Sequence, residues 1–360
     1  MSRSFFDFFP PPKILMPPVF GLSIDDDAIR VVEYKQKHGK LSLKNSTEYP
    51  LPKGVVWGGV VANQEKLVEI LKKIGHEQDT GSCALSLSEE KSFVYATTIS
   101  FAPSEEISSK SASKKYLTQK MALRKAVEAT LAQNIPLSAE QTVFDFVVTT
   151  LDEKNGNANV VVFAFPLDIA NSFLDSLSRA GLTPISFETE SQAVARSVVP
   201  RGVAGTYLLI HFVGYKVIIA IVSEGIIHFA STVLHTAESN AKTVEEAQEG
   251  ASVKQGFEEP VELVAVKNEL LKVVSYWHSE RQVKTREKNK IQSVIISGDV
   301  SHMLDLPDYI SKNIRLPSKL ANVWQNAFSL NESIPEISFE HSLVFASAAG
   351  SALLPFSDDV

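Results

Sequence analysis

The sequence predicts an α/β protein built from two copies of one β–β–β–α unit, the first of which carries a small inserted α+β module. Three observations predict it. Residues 19–24, 28–35 and 41–49 read as strands separated by the turn chemistry DDD and KHGK, and an amphipathic helix follows at 63–74. The same order returns much later, with short strands at 207–212, 216–222 and 226–234 before a helix at 261–282. Between the two copies lies a segment with a different rhythm.

Each element has a local reason. In the first helix Leu67, Ile70, Leu71 and Ile74 share one face, and Asn63 stands where an N-cap belongs. In the second, Leu263, Val266, Leu270, Val273, Val274 and Trp277 keep helical spacing. The intervening segment opens with an alternating strand at 92–100. A polar Ser/Lys-rich stretch at 104–114 has loop composition, and an amphipathic helix follows at 116–132. Strands at 141–150 and 160–165 flank DEKNGNAN, a turn that suits positive φ. A helix at 166–180 then ends at Gly181, a suitable C′ residue. The tract 235–259 is acidic and aperiodic, as expected of a solvated loop. A strand at 293–297 runs into Gly298, a helix is expected from Asp305, and 341–354 is a small-residue helix.

Composition bounds the function. A net charge of −7 argues against a dedicated nucleic-acid binder. One cysteine, Cys83 in the apolar run SCALSL, rules out an internal disulfide and thiolate-rich zinc sites; it reads as a buried strand residue in a reducing compartment. The opening MSRSFFDFFPPPKILMPP is interrupted by Asp7 and prolines, unlike a secretory h-region. It reads as an extended arm whose Phe5, Phe6, Phe8 and Phe9 pack on their own domain, with partner or lipid contact as the alternative.

Residues 181–196, GLTPISFETESQAVAR, carry the most specific pattern: a helix end, a short strand, then E-x-E-x-x-A-x-A-R opening a helix, with Glu188, Glu190, Ala193, Ala195 and Arg196 in place. Together with the opening strand pair, the K-L-x-L hairpin at 40–43, the P-L-P segment at 50–52, IPLSAEQTVFDF from Ile135, VSEG before Ile226 and VIISGD before Val300, this resembles the PilM family of type IV pilus assembly proteins. That family belongs to the actin-like (ribonuclease H-like) superfamily, which also contains hexokinase and the cell-division protein FtsA. The resemblance implies a duplicated two-lobe fold. It divides the chain into an arm at 1–18, a first lobe at 19–91 and 166–205 around a module at 92–165, a second lobe at 206–335, and a C-terminal helix at 336–360 returning to the first lobe.

It also implies a cytoplasmic protein at the inner membrane that binds the tail of a single-pass PilN-like protein in a groove between first lobe and module. Pilus assembly ATPases and self-association are further partners it allows. Several family members bind ATP, so the pocket positions matter. The superfamily's first phosphate hairpin reads D-I-G-S/T; here it is Ser23, Ile24, Asp25 and Asp26, with Asp27 following. Three carboxylates are expected to face the phosphates, as solvated turn acids, and like charges ~4 Å apart repel by ~4 kcal/mol at an effective dielectric near 20. The second hairpin's D-I-G is His211, Phe212 and Val213, with Gly214 one place late and His211 expected as a half-buried structural residue. The S-G-G site is Ser297, Gly298 and Asp299, and a further Gly-Gly is replaced by LHTAESN. With Glu190, these positions describe a degenerate pocket with no catalytic residue, no metal and no cofactor. The alternatives are an ATPase binding Mg–ATP and an FtsA-like membrane-associated filament protein.

Overall fold

The computed structural model describes residues 18–101, 112–234, 261–280, 290–300, 305–331 and 333–356. The N-terminal arm, most of the Ser/Lys-rich loop and the acidic tract at 235–259 lie outside the described residues.

The first sheet begins with β1 (Phe20–Ile24), whose five residues are all buried, and β2 (Ala28–Lys37), which pairs antiparallel with it. β3 (Lys40–Pro50) follows through a turn at His38 and Gly39, both at positive φ. A two-stranded hairpin, β4 (Val56–Trp57) and β5 (Val60–Val61), leads into α1 (Gln64–Glu77). The Asn63 side chain caps α1, accepting from the Lys66 amide at 3.1 Å, and Leu67, Val68, Leu71 and Ile74 are buried, with Ile70 half-buried. β6 (Ser82–Leu87) carries the buried Cys83 and lies parallel to β1.

The chain then leaves this sheet. β7 (Phe93–Ser100), α2 (Ala112–Asn134), β8 (Thr142–Asp152) and β9 (Asn157–Pro166) make a separate three-stranded antiparallel sheet in the order β7–β9–β8. It has its own core: Val127 and Leu131 of α2 pack with Ile99, Phe144, Val160 and Val162. α3 (Leu167–Arg179) returns to pack on α1, and Gly181 follows at φ 79°. β10 (Thr183–Thr189) completes the first sheet as β10–β6–β1–β2–β3, parallel to β6.

After α4 (Glu190–Val198) come β11 (Thr206–Val213), β12 (Lys216–Ser223) and β13 (Ile226–Leu234), then α5 (Val261–Glu280), β14 (Ile291–Gly298), α6 (Leu306–Ile314) and β15 (Ser318–Leu320). The second sheet runs β13–β12–β11–β14–β15, with β11–β12 and β12–β13 antiparallel and β11–β14 and β14–β15 parallel. Strand order and directions therefore repeat those of the first sheet: three meandering strands, then two parallel strands beyond the first. This is the duplicated, actin-like α/β fold. Every residue of β11 and β12 is buried, which explains their nearly unbroken apolar runs.

The single helix expected at 341–354 is interrupted. α7 (Phe339–Ser342) starts from Ser338, whose hydroxyl accepts from the His341 amide at 3.2 Å; the chain tightens into a 3₁₀ turn at Leu343–Phe345 and resumes as α8 (Ala346–Ala352). Pro355, which has no N–H to donate, falls just beyond.

By contacts the chain forms two units, one of residues 1–33, 47–189 and 351–360, the other of 34–46 and 190–350. α4 packs on β11, β12 and β13. Its Gln192 holds the β12–β13 turn, donating to the Gly225 carbonyl at 3.0 Å and accepting from the Ile227 amide at 3.1 Å. Most of the segment assigned to a returning helix likewise groups with the second unit, and only residues from Ser351 onward join the first.

Candidate functional site

In the first unit the β1–β2 turn is closed by the Asp25 amide, which donates to the Ala28 carbonyl at 3.0 Å, leaving Asp26 and Asp27 at its tip. The three acids do not behave as a solvated cluster. Asp25 is 2% exposed and Asp26 6%; only Asp27 is open to water. The Asp25 carboxylate accepts from Arg30 Nη1 at 2.9 Å and from the Ser23 hydroxyl at 3.4 Å, while Arg30 Nε donates to Glu48 at 2.7 Å. Asp26 turns to the β4–β5 hairpin. Its two oxygens accept the amides of Gly58, at 2.9 Å, and Gly59, at 3.4 Å. Those glycines have φ of 58° and 71°, the left-handed pair a type I′ turn needs. The expectation of three carboxylates facing outward is thus corrected. A buried carboxylate must be hydrogen-bonded, and two of the three are bonded within their own unit.

That hairpin was missed from sequence. Its signal is VVWGGVV, Gly-Gly between the strand formers Val56–Trp57 and Val60–Val61, which is a two-residue turn signature.

In the second unit the structure brings together Glu190 at the start of α4, His211 on β11 and Ser297 on β14. His211 and Ser297 are directly opposite in the parallel pair, and His211 Nδ1 meets Ser297 Oγ at 2.8 Å. His211 Nε2 lies 3.6 Å from Glu190 Oε1. All three are buried at 3% exposure or less, so His211 is more enclosed than the half-buried residue expected. The β11–β12 turn is a two-residue loop closed by the Val213–Lys216 pair, with Gly214 at φ 53° in its first position, as a type II′ turn requires. Val213 and Lys216 are themselves buried.

Gly298 has a structural reason to be glycine. Its φ is 94°, and a Cβ there would stand 2.0 Å from the Phe212 carbonyl oxygen. Asp299 is exposed, and its amide donates to that same carbonyl at 3.0 Å. Phe212 is buried in the strand next to it. Ser297 and Gly298 therefore serve the β11–β14 junction. The replacement LHTAESN lies outside the described residues after Leu234.

The E-x-E-x-x-A-x-A-R motif also resolves into packing roles. Glu188 Oε1 accepts from the Ser351 hydroxyl at 3.0 Å. Arg196 Nη1 donates to the Gly350 carbonyl at 3.2 Å, and Ser197 Oγ to the Ala346 carbonyl at 2.8 Å. α4 and α8 cross so closely that a Cβ on Gly350 would lie 1.7 Å from the Ala193 carbonyl oxygen. The last turn of α4 is satisfied by Asn326, whose Nδ2 donates to the Arg196 and Val199 carbonyls at 2.9 and 2.6 Å, and by Gln325, which donates to the Val198 carbonyl.

No helix among the described residues is long and apolar enough to cross a membrane. No curated protein sequence matches the chain. Among solved structures, a PilM–PilN type IV pilus biogenesis complex is similar at 16% identity and a TM-score of 0.71, covering 95% of this chain and 99% of that one. The cytoplasmic domain of EpsL, an inner-membrane component of the type II secretion system of Vibrio cholerae, aligns at 13% identity and a TM-score of 0.45 over 94% of this chain and 95% of its own. MreB5 of Spiroplasma citri bound to ADP aligns at 12% identity and a TM-score of 0.45 over 95% and 97%. The profile of the type IV pilus assembly protein PilM matches residues 21–239, more than half of the sequence, and the chain belongs to that family.

Proposed function

We propose that this PilM-family protein is an actin-like adaptor of a type IV pilus, or related type II secretion, assembly complex. In this reading it sits on the cytoplasmic face of the inner membrane. It binds the short N-terminal tail of a PilN-like single-pass protein, and its nucleotide pocket neither holds nor hydrolyses ATP. The observation that carries the partner is the likeness, over nearly the whole chain, to a PilM solved with PilN.

The pocket half of the proposal rests on the hairpins. At the first, a phosphate would meet Asp25, whose charge is already matched by Arg30, and Asp26, which already occupies the Gly58 and Gly59 amides. At the second, His211, Ser297 and Glu190 close on one another below the surface. The first turn contains no glycine and the second only Gly214, short of the glycine-lined turn that cradles phosphate.

Two measurements test the reading. Titrating the full-length protein with the N-terminal tails of PilN-like single-pass membrane proteins from the same genome should give saturable binding with one of them, and failure with every such tail removes the pilus adaptor. A thermal melt with Mg–ATP should show no shift. A ligand at a hundredfold its dissociation constant stabilises a fold by ~2.7 kcal/mol, so a clear rise in Tm would restore the ATPase reading.

A further inference from the structure

β1 reaches along β2 as far as Phe20 opposite Glu33, so from residue 34 onward β2 and β3 run on, among the described residues, as a two-stranded ribbon. The ribbon ends at the His38–Gly39 turn, whose two positive φ angles are those of a type I′ hairpin, and residues 35–40 are all exposed. Side chains alternate along each strand, and residues directly opposite each other across a hairpin share a side. Lys35, Lys37, Lys40, Ser42 and Lys44 therefore line one face, and Glu33, next in that row, is buried. The other face carries Tyr34, whose buried ring packs edge-on against Trp324 and Phe328 at 6.4 and 6.5 Å within the same unit. The lysine face is thus turned away from the unit.

Residues 34–47 hold four lysines and no acid in a chain of net charge −7, so the charge is segregated onto this ribbon. Stability does not call for it: Lys37 and Lys40 flank the turn, and like charges opposite each other destabilise a hairpin. Lysine often blunts an edge strand against aggregation, which accounts for Lys40 and Lys44 on β3 but not for Lys35 and Lys37 on the inner strand β2. The make-up of the face indicates what meets it. Protein interfaces are anchored by apolar and aromatic side chains or by arginine, whose planar fork also suits specific phosphate and carboxylate contacts. This row has neither; beside its lysines it holds Ser42. A row of flexible point charges senses the density of negative charge, which is what a plane of lipid headgroups presents. Salt screens charge over about 10 Å at 0.1 M, so the ribbon's own sign, and not that of the whole chain, governs contact at its tip.

We propose that the lysine face of the β2–β3 hairpin lies on an anionic lipid surface. The inference takes the placement at the inner membrane from the adaptor reading and adds a direct contact with headgroups.

Sedimentation of the full chain with phosphatidylglycerol vesicles at about 0.1 M salt tests it. The wild type should pellet with them, progressively less as salt is raised, and should stay in solution with phosphatidylcholine vesicles. Each lysine close to an anionic surface is worth about fivefold in binding, so Lys35→Gln/Lys37→Gln should partition about 25-fold more weakly while melting as the wild type does. Lys53→Gln/Lys72→Gln, which removes the same charge from exposed positions of the first unit, should pellet like the wild type. Equal pelleting with neutral vesicles, or no loss in the Lys35/Lys37 variant, overturns the lipid contact and leaves the adaptor standing. So does a wild type that ignores the vesicles but binds polyglutamate or duplex DNA through the same lysines. A wild type that pellets with anionic vesicles in the expected way and binds no PilN-like tail removes the adaptor and keeps the lipid contact.

Discussion

Replacing Gly350 by alanine measures how tightly α4 and α8 are forced together. A Cβ at this position lies 1.7 Å from the Ala193 carbonyl oxygen and 2.5 Å from its carbon. Ordinary contact begins near 3.5 Å, so the helices must separate by on the order of 1.5–2 Å. Helix propensity alone favours the substitution by up to about 1 kcal/mol. Against that stand about 1–3 kcal/mol of overpacking and the hydrogen bonds Arg196 to Gly350 and Ser197 to Ala346, which span the crossing at 3.2 and 2.8 Å and contribute about 1 kcal/mol each. The net expectation is a loss of about 2–4 kcal/mol, which for a unit of this size lowers Tm by about 4–16 °C. Scanning calorimetry of Gly350→Ala beside the wild type reads it directly. An unchanged or raised Tm, the outcome of propensity alone, would refute the reasoning. The obstacle is a backbone oxygen, so adding Ala193→Gly should not restore stability, and a recovery in that double variant would refute it as well.

Asp26→Ala should destabilise the first unit by about 1–3 kcal/mol, seen as a lower urea midpoint, because it strips the Gly58 and Gly59 amides of their acceptor. Asp26→Asn, which keeps one acceptor oxygen, should fall between Asp26→Ala and the wild type. Asn63→Ala should cost about 1 kcal/mol through the lost cap on α1, whereas Asn63→Asp should be close to neutral. Cys83 is buried, and burial pushes its thiol up to about 12. A thiol reagent at pH 8 should therefore leave it unmodified in the folded protein and label it fully in denaturant; rapid labelling under native conditions would contradict its place in β6.

The parts that sequence made plain are those governed by short-range periodicity. α1 announced itself through Leu67, Leu71 and Ile74 and through Asn63, all within one helix, and the two strand meanders through alternation and turn residues. What stayed hidden depends on residues far apart in the chain. Nothing near Asp26 says that its oxygens meet amides beyond residue 50, so the turn looked like a solvated acidic tip. His211 and Ser297 are 86 residues apart, and only the parallel register of β11 on β14 makes them partners. The glycine at 298 looked like the remnant of a nucleotide motif; the Phe212 backbone beside it supplies a second reason for it. Helical periodicity likewise shows that α4 has a buried side but not that β11, β12 and β13 bury it.

The threading of the chain between its two units has a consequence for synthesis. The backbone passes from one unit to the other after residues 33, 46, 189 and 350. The first sheet takes its last strand, β10, only after the inserted module has been made. Multidomain proteins commonly fold their N-terminal domain first as they emerge, and here the first sheet is complete only once β10 has been made. The inserted sheet is the exception, for β7 to β9 form one continuous stretch around a core of their own. During translation it can take shape while β6, already able to pair with β1, still lacks β10 on its other edge.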